Sequence, residues 1–172
     1  MVDLFEVVRM RRSVRSYEAH ALDPQDVQLI LQAASRAPSA GNLQSYEVYE
    51  VTGDSRRALA RAAFEQDFVA QAPIVFVFCA EPGRSAERYG RRGAELYCIQ
   101  DATIACAYAQ LAATARGLAS VWVGAFDEQA VARITGAPPG IRPVALLPVG
   151  HGAEPGEQTS RRPLNEWVHR AP

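Results

Sequence analysis

Residues 74–80, IVFVFCA, form a continuous run of seven apolar residues, five of them β-branched or aromatic. Because such a run has no polar side to turn towards water, it is typical of a strand that is buried on both faces. Its length also fits a strand better than a helix. We therefore predict that residues 74–80 form the central strand of a sheet.

Three further strands and five helices are predicted around this strand. The other strands are SYEVYEV (45–51), which alternates as a half-buried strand does, ASVWVGAF (119–126) and IRPVALLPVG (141–150). The helices are predicted in the segments 3–13, 21–38, 54–64, 94–116 and 127–135. Interleaved strands and helices favour an α+β or α/β sandwich around one sheet. No repeat or low-complexity linker divides the chain, so we expect a single domain over residues 1–172.

The segment 94–116 is apolar on nearly every side and is about as long as a membrane span. Polar residues interrupt it, however, and many of its apolar residues are alanine, so a helix buried in a core or a subunit interface explains it better. The preceding residues 81–93, EPGRSAERYGRRG, are polar and contain glycine. We predict a mobile loop or lid there.

The composition is that of an ordinary globular protein. The chain has 172 residues, of which 48% are hydrophobic and 22% charged, and its formal net charge is -1. Nucleic acid and anionic membranes are therefore not expected as partners, and any anion site must be local. The three cysteines have no C-x-x-C spacing, which predicts free thiols and a cytoplasmic location. MVDLFEVVRMRR places its charges after its apolar residues, so no targeting segment is predicted.

Several motifs of known chemistry do not fit the chain. Gly150 and Gly152 follow a strand, as in a dinucleotide fingerprint, but the third glycine is misplaced and Pro155 would break the next helix. The three histidines lack metal-ligand spacing, so no metal site is predicted. Asp101 is a candidate catalytic carboxylate, but a buried acid paired with an arginine or a backbone group is favoured. No acid or base side chain is therefore assigned to catalysis.

The segment RRSVRSY (11–17) concentrates three arginines and a serine within five residues. Guanidinium groups this close repel one another, and together with a hydroxyl and backbone amides they suit a phosphate. Arg11 and Arg15 would share a face if the first helix continued through them. The alternative is a solvated basic helix end. A second basic pair lies in the tail, at Arg161 and Arg162, and one phosphate would be bound from both ends of the chain if the fold joined the two clusters.

A different set of polar groups occurs in PSAGNLQ (38–44). Its hydroxyl and amide groups can bind the polar edge of a ring or a polyol chain, and Gly41 would let a ligand approach the backbone closely. An ordinary turn after a helix would favour the same residues. The phosphate-binding arginines, the amide-rich loop and the apolar sheet together fit a mononucleotide with a large flat ring.

Taken together, these segments resemble the nitroreductase family of FMN-dependent oxidoreductases. The matching pieces follow one another over nearly the whole chain: RRSVRSY, APSAGNLQSYEVYEV, APIVFVFCA, RYGRRGAELYCIQDA, GLASVWVGAFDE, RPVALLPVGHGAEPGE and RRPLNEWV. The resemblance implies an α+β, nitroreductase-like sandwich with a central mixed sheet flanked by helices. It also implies an intertwined homodimer with two FMN molecules at the subunit interface.

The resemblance also assigns binding roles. The R-R-S-x-R segment and the tail arginines would bind the phosphate and ribityl chain, and the P-S-A-G-N loop would reach the flavin of the partner subunit. WVGAF would contribute backbone groups beside the ring, and Gln66 would lie at its pyrimidine edge. Tyr17 stands where the family often has Phe. The implied FMN-binding residues are Arg11, Arg12, Ser13, Arg15, Pro38, Ser39, Ala40, Asn42, Gln66, Val123, Gly124, Arg161 and Arg162.

The activity that the resemblance implies is a ping-pong reaction. NADH or NADPH would pass a hydride to N5 of FMN and leave, and a small acceptor such as a nitroaromatic or a quinone would take its place. Two alternatives stay open: another flavin chemistry on the same fold, such as flavin fragmentation or enone reduction, and a non-enzymatic flavin-binding protein. The fragmenting branch has Asp at the position of Ser13, which disfavours it.

Overall fold

A computed structural model describes residues 3–171 and contains one four-stranded antiparallel sheet in the order β1-β2-β4-β3. The strands are β1 (Tyr46–Val51), β2 (Ile74–Ala80), β3 (Ala119–Ser120) and β4 (Arg142–Gly150). The helices are α1 (Leu4–Met10), α2 (Pro24–Ser35), α3 (Ser55–Ala62), α4 (Phe68–Gln71), α5 (Pro82–Arg92), α6 (Cys98–Ala115) and α7 (Glu128–Thr135). Short 3₁₀ turns lie at Ala40–Asn42 and Leu164–Glu166, and a π-helical turn lies at Gly93–Tyr97.

The central position predicted for residues 74–80 is confirmed. Every residue of β2 is buried, and β2 pairs with β1 on one side and β4 on the other. Successive side chains of a strand point to opposite faces. Phe76 and Phe78 accordingly pack with α2 and α6, while Val75 and Val77 pack with α3 and α7. Helices therefore cover both faces of the sheet, and the predicted α+β class is confirmed.

The sheet differs from the expected mixed sheet, because every strand pairing among residues 3–171 is antiparallel. The reason lies in the connections. The connection through α3 and α4 brings the chain back to the end of β1, so β2 starts there and runs in the opposite direction. In the same way, β4 starts beside the end of β2, where Arg142 pairs with Ala80. Only neighbouring strands joined by a crossover along the sheet would run parallel.

The loop predicted for residues 81–93 is wrong, because residues 82–92 form α5, a helix with a kink at Gly90. Pro82 occupies the first turn, where its missing N–H costs nothing, and arginine, alanine and glutamate are good helix formers. Ser85 is buried, and a Cβ added to Gly93 would lie 2.4 Å from the Ser85 carbonyl oxygen. The polar composition therefore reflects an exposed helix that packs closely at one turn.

Two further boundaries were predicted incorrectly. The predicted strand 119–126 has only two residues, β3, followed by a single bridge between Val123 and Leu146. The intervening Trp122 packs instead against the core cluster that contains α2 and α6. The first helix ends at Met10 rather than at residue 13, so Arg11 and Arg15 do not share a helical face.

Apolar side chains lie exposed near both ends of the described chain. Among the residues of α1 only Val7 is buried, and Phe5 is 81% exposed. The tail behaves in the same way, with Trp167 51% exposed. The larger exposed apolar residues of the two regions are Leu4, Phe5, Val8, Met10, Leu164, Trp167 and Val168. We call them the terminal apolar surface.

The long apolar helix is α6, and one side of it remains accessible. Cys98, Ala102 and Ala109 are fully buried against the sheet, whereas Tyr108 is 40% exposed. Within residues 3–171, no helix combines the length and the apolar character that crossing a membrane would require.

We predict that none of the three cysteines reacts in the folded protein. Burial raises the pKa of the Cys79 thiol to about 12 and also raises the pKa values of Cys98 and Cys106. The thiolate is the nucleophile, and raised pKa values leave each buried cysteine mainly in the unreactive thiol form at neutral pH. Ellman's reagent should label no cysteine in native protein and three after unfolding. Rapid labelling before unfolding would contradict this burial.

Candidate functional site

A basic cavity of about 400 Å³ lies between the segment that follows α1 and the tail. Its lining residues are Val8, Arg9, Arg11, Arg12, Ser13, Arg15, Glu157, Gln158, Thr159 and Arg161. The fold thus brings Arg161 to the arginines of RRSVRSY. The prediction that one phosphate is bound by both arginine clusters requires this proximity. Arg162 does not line this cavity.

Two buried residues hold the arginine segment in place. The Val14 backbone N–H donates to the Ser120 carbonyl oxygen at 3.1 Å, which ties the segment to β3. The Tyr17 hydroxyl donates to the carbonyl oxygens of Val14 at 2.9 Å and Pro148 at 3.3 Å. On the other wall, a Cβ added to Gly156 would lie 2.8 Å from the Arg12 Cβ. Glycine therefore lets the tail approach the arginines.

The charges of the basic cavity are only partly satisfied within the protein. Burial, and then the neighbouring cations Arg161 and Arg12, lower the pKa of Arg11. Among residues 3–171, its guanidinium has no hydrogen-bond or ion-pair partner, although Glu157 also lines the cavity. An anion would relieve this repulsion, and a phosphate accepts charge-assisted hydrogen bonds from several guanidinium groups at once.

The other cationic side chains are held more firmly. Arg12 donates to the Arg9 carbonyl oxygen at 2.5 Å, and Arg161 donates to Thr159 Oγ1 at 2.7 Å. The Arg15 guanidinium carbon lies 5.9 Å from the centre of the Phe68 ring, within the range of a cation–π contact. These contacts orient three arginines before any ligand binds.

The 38–44 loop lies at a second cavity, of about 530 Å³, on the side of α6. Pro38, Ser39 and Ala40 line this cavity with Tyr97 and neighbouring residues of α6. It shares no lining residue with the basic cavity. Within one protomer, the two predicted binding segments therefore do not meet.

Asp101 of α6 organises the 38–44 loop. Its side chain is buried, and its two carboxylate oxygens accept from the backbone N–H groups of Ala40 at 2.9 Å and Ser45 at 3.3 Å. The favoured interpretation of Asp101, a buried acid paired with backbone groups, is confirmed. Between these two anchors, Gly41 and Asn42 adopt left-handed backbone conformations, with φ of 59° and 58°. Asp101 therefore clamps a turn that few sequences adopt without support.

Of the remaining predicted residues, Gln66 lies just after α3, and Val123 and Gly124 follow β3. Gln66 Nε2 donates to the carbonyl oxygens of Ala63 at 2.7 Å and Ala125 at 3.1 Å. Val123 exchanges two backbone hydrogen bonds of 2.9 Å with Leu146, whereas Gly124 is exposed. The Val123 backbone N–H and carbonyl are therefore already paired with Leu146, and the roles predicted for Val123 and Gly124 beside the flavin ring stay predictions.

Sequence reasoning did not select several residues that line the basic cavity or support it. Arg9 belongs to the same basic run as Arg11, and Thr159 lies two residues before Arg161, so sequence proximity was an available signal. Phe68, which contacts Arg15, had no such signal, because only the tertiary fold brings α4 to the arginine segment.

Replacing Tyr17 with phenylalanine should lower the free energy of unfolding by about 1 kcal/mol, since a typical hydrogen bond contributes that much. The ring would still fill its buried site, but the Val14 and Pro148 carbonyls would lose their donor. Urea denaturation monitored by circular dichroism would measure the change. Tyr108→Phe is a matched control on an exposed tyrosine, and equal stability of the Tyr17 and Tyr108 variants would contradict the anchoring role.

The structure defines an α+β protein whose basic cavity contains a local cluster of arginines. The family model described as "Nitroreductase family" matches residues 8–66 and 60–151. A protein of Thermus thermophilus named NADH dehydrogenase is 32% identical, over 92% of this chain and 91% of the relative. A Bacillus subtilis protein named FMN reductase (NADPH) is 26% identical, over 98% of this chain and 74% of its own length.

Solved structures show the same fold. The structure of B. megaterium NfrA2 superposes with a TM-score of 0.90 at 27% identity, covering 99% of this chain and 74% of that one. The nitroreductase family protein of Streptococcus pneumoniae TIGR4 has a TM-score of 0.89 at 22% identity, covering 98% of this chain and all of the other. The chain belongs to the nitroreductase family. The predicted family is therefore confirmed, and with it the predicted enzyme class, an FMN-dependent NAD(P)H oxidoreductase.

Proposed function

We propose that this enzyme carries electrons from NADH or NADPH, through FMN, to a small acceptor such as a nitroaromatic or a quinone, in a ping-pong reaction. The observation that carries the proposal is the basic cavity, in which Arg11, Arg12, Arg15 and Arg161 converge from both ends of the chain. The relatives named as NADPH- and NAD(P)H-dependent FMN reductases support the same assignment.

The residues present fit FMN. The four guanidinium groups and the Ser13 hydroxyl would hold its phosphate, and the partly buried, unpaired Arg11 would gain the most from an anion. Amide and hydroxyl groups of the 38–44 loop, with the exposed backbone of Gly124, would bind the polar edge of the ring. Bound FMN would supply the hydride chemistry. The chain's own residues would bind and orient it.

We further propose that the working unit is an intertwined homodimer. One protomer presents the basic cavity and the 38–44 loop at separate cavities, so a second copy would be needed to place both at one FMN. The terminal apolar surface supports this arrangement, because exposed apolar clusters of this kind mark protein–protein contacts. The tail would then pack on the partner subunit.

Replacing Phe5 with aspartate should dissociate this dimer, because it places a charge where apolar burial is proposed. Size-exclusion chromatography with light scattering should give about twice the protomer mass of 18.7 kDa for the parent protein and a shift towards that mass for the variant. Phe64→Asp, on another exposed phenylalanine outside the terminal apolar surface, is the matched control. A parent protein that is monomeric and retains FMN would refute the dimer proposal.

The proposed activity is tested by an absorption spectrum of the purified protein, with and without added FMN, recorded before and after anaerobic NADH or NADPH. A flavin spectrum that bleaches with the reductant supports the cofactor and the first half-reaction. Parallel double-reciprocal plots against a nitroaromatic or quinone acceptor would support ping-pong order, and intersecting plots would reject it. Protein that neither contains nor binds FMN would refute the proposed function.

A further inference from the structure

The arginines of α5 fall into two groups. Arg84 pairs with Glu81, three residues before it, at 2.6 Å, and Arg91 pairs with Glu95, four residues after it, at 2.7 Å. Arg88 and Arg92 are exposed, and among residues 3–171 neither has a carboxylate partner. A surface helix that served only solubility would give no reason for this division.

The two arginines without carboxylates are held by aromatic rings instead. The guanidinium carbon of Arg88 lies 5.4 Å from the centre of the Tyr89 ring, and that of Arg92 lies 5.4 Å from the centre of the Tyr97 ring. The Tyr97 hydroxyl accepts from Arg92 Nε at 3.0 Å, and the two tyrosines meet edge to face. We call these four residues the Arg–Tyr cluster. Cation–π contact orients a guanidinium without neutralising its charge.

The Arg–Tyr cluster adjoins the 38–44 loop. Arg88 Nη1 donates to the Gly41 carbonyl oxygen at 3.3 Å, and a Cβ added to Gly41 would lie 2.4 Å from the Tyr89 hydroxyl. Tyr97 lines the cavity that Ser39 and Ala40 also line. Arg88 and Arg92, which have no carboxylate partner among the described residues, therefore lie beside the cavity and loop at which the proposed function places the flavin ring.

We propose that the Arg–Tyr cluster binds a phosphate group of the reductant, NADH or NADPH. This inference rests on the proposed function, in which the nicotinamide must reach the flavin ring while the rest of the dinucleotide extends away from it. Its phosphates would then need cations at the rim of the ring cavity. Exposed, oriented guanidinium forks without an internal carboxylate are suited to phosphate oxygens.

The test uses FMN-loaded protein and follows the bleaching of the flavin under anaerobic conditions, so that no acceptor is involved. The variants are Arg88→Ala, Arg92→Ala and the double variant, with Arg91→Ala and Arg84→Ala as matched controls on the same helix. Each is mixed with NADH, with NADPH and with reduced nicotinamide riboside, which has the reactive ring but no phosphate. The concentration dependence gives an apparent Kd and a limiting rate for each reductant.

We expect the apparent Kd for the phosphorylated reductants to rise about tenfold or more in the double variant, as the loss of charge-assisted hydrogen bonds predicts. The limiting rate and the constants for the phosphate-free riboside should stay at parental values, and both controls should behave as the parent. An equal rise for NADH and NADPH identifies the pyrophosphate as the bound group. A rise confined to NADPH identifies the 2′-phosphate.

Other outcomes overturn the inference. If the binding of the riboside weakens as much as that of NADH, the arginines act by shaping the 38–44 loop. Arg92→Ala is the more specific variant for this comparison, because Arg88 and not Arg92 donates to the Gly41 carbonyl oxygen. If no variant differs from its controls, the cluster does not bind the reductant. In both cases the flavin still bleaches and the proposed function stands, whereas protein without FMN, or FMN that no reductant bleaches, removes the proposed function and the inference together.

Discussion

Arg11→Ala is expected to weaken FMN binding by roughly 10- to 100-fold, because charge-assisted hydrogen bonds contribute about 1.5–3 kcal/mol each. Arg11 is partly buried, its pKa is lowered by burial and by two neighbouring cations, and the described residues offer it no counter-ion. Its interaction with a phosphate would therefore be less screened than that of an exposed arginine. Fluorescence titration of the apoprotein with FMN would give both dissociation constants.

Two companion variants make the Arg11 measurement specific. Arg161→Ala should also weaken FMN binding, because Arg161 lines the same cavity and, of the two cations that lower the pKa of Arg11, has the larger effect. Arg162→Ala should have a smaller effect on FMN binding, because the Arg162 side chain does not line the basic cavity. The effects of Arg11 and Arg161 should not add, because the two side chains would share one ligand. Unchanged FMN affinity in Arg11→Ala would remove the phosphate role from the basic cavity.

Asp101→Ala is expected to lower the free energy of unfolding by about 3 kcal/mol, because the N–H groups of Ala40 and Ser45 would both lose a charged acceptor in a buried site. For a chain of this length, that change corresponds to a fall in Tm of about 10 °C. The 38–44 loop should also lose its shape, so FMN binding should weaken. Differential scanning calorimetry, at one protein concentration, and FMN titration would measure the two effects.

An Asp101→Asn variant separates shape from charge. Asparagine fills the same space but has only one carboxamide oxygen, so it can satisfy one of the two backbone donors. Its stability should lie between those of the parent and Asp101→Ala. Gln100→Ala, on the neighbouring exposed position of α6, should leave Tm within about 1 °C of the parent value. If Asp101→Asn retained parental stability and FMN affinity, the clamp would not need its second acceptor.

The elements that were predicted well are those whose signals are local. IVFVFCA is apolar throughout, and a strand covered by helices on both faces requires that pattern. The segment 81–93 failed because an exposed helix and a loop share the same polar composition. The packing of Ser85 against Gly93 distinguishes the helix from a loop, and the identity of neither residue predicts that contact.

The site was predicted to a similar extent. Sequence clustering identified the arginines of residues 11–15, but the meeting of Arg161 with them depends on the tail packing closely against Arg12 and Val14 at Gly156. Asp101 was noticed because a carboxylate is unusual in an apolar helix, yet its partners, the Ala40 and Ser45 N–H groups, lie more than 50 residues away. Contacts between distant segments have no signature in a single sequence.

The basic cavity takes its walls from residues 8–15 and from residues 157–161, so the ribosome makes one wall long before the other. A chain halted before residue 157 could assemble all four strands and still lack half of the cavity. Loading of FMN would therefore wait until residues 157–161 had been made and had folded back onto residues 8–15. Because a bound ligand stabilises only the folded state, the cofactor would add its stabilisation at this last stage. The flavin absorbance of a preparation would then measure the fraction of chains in which residues 157–161 have packed against residues 8–15.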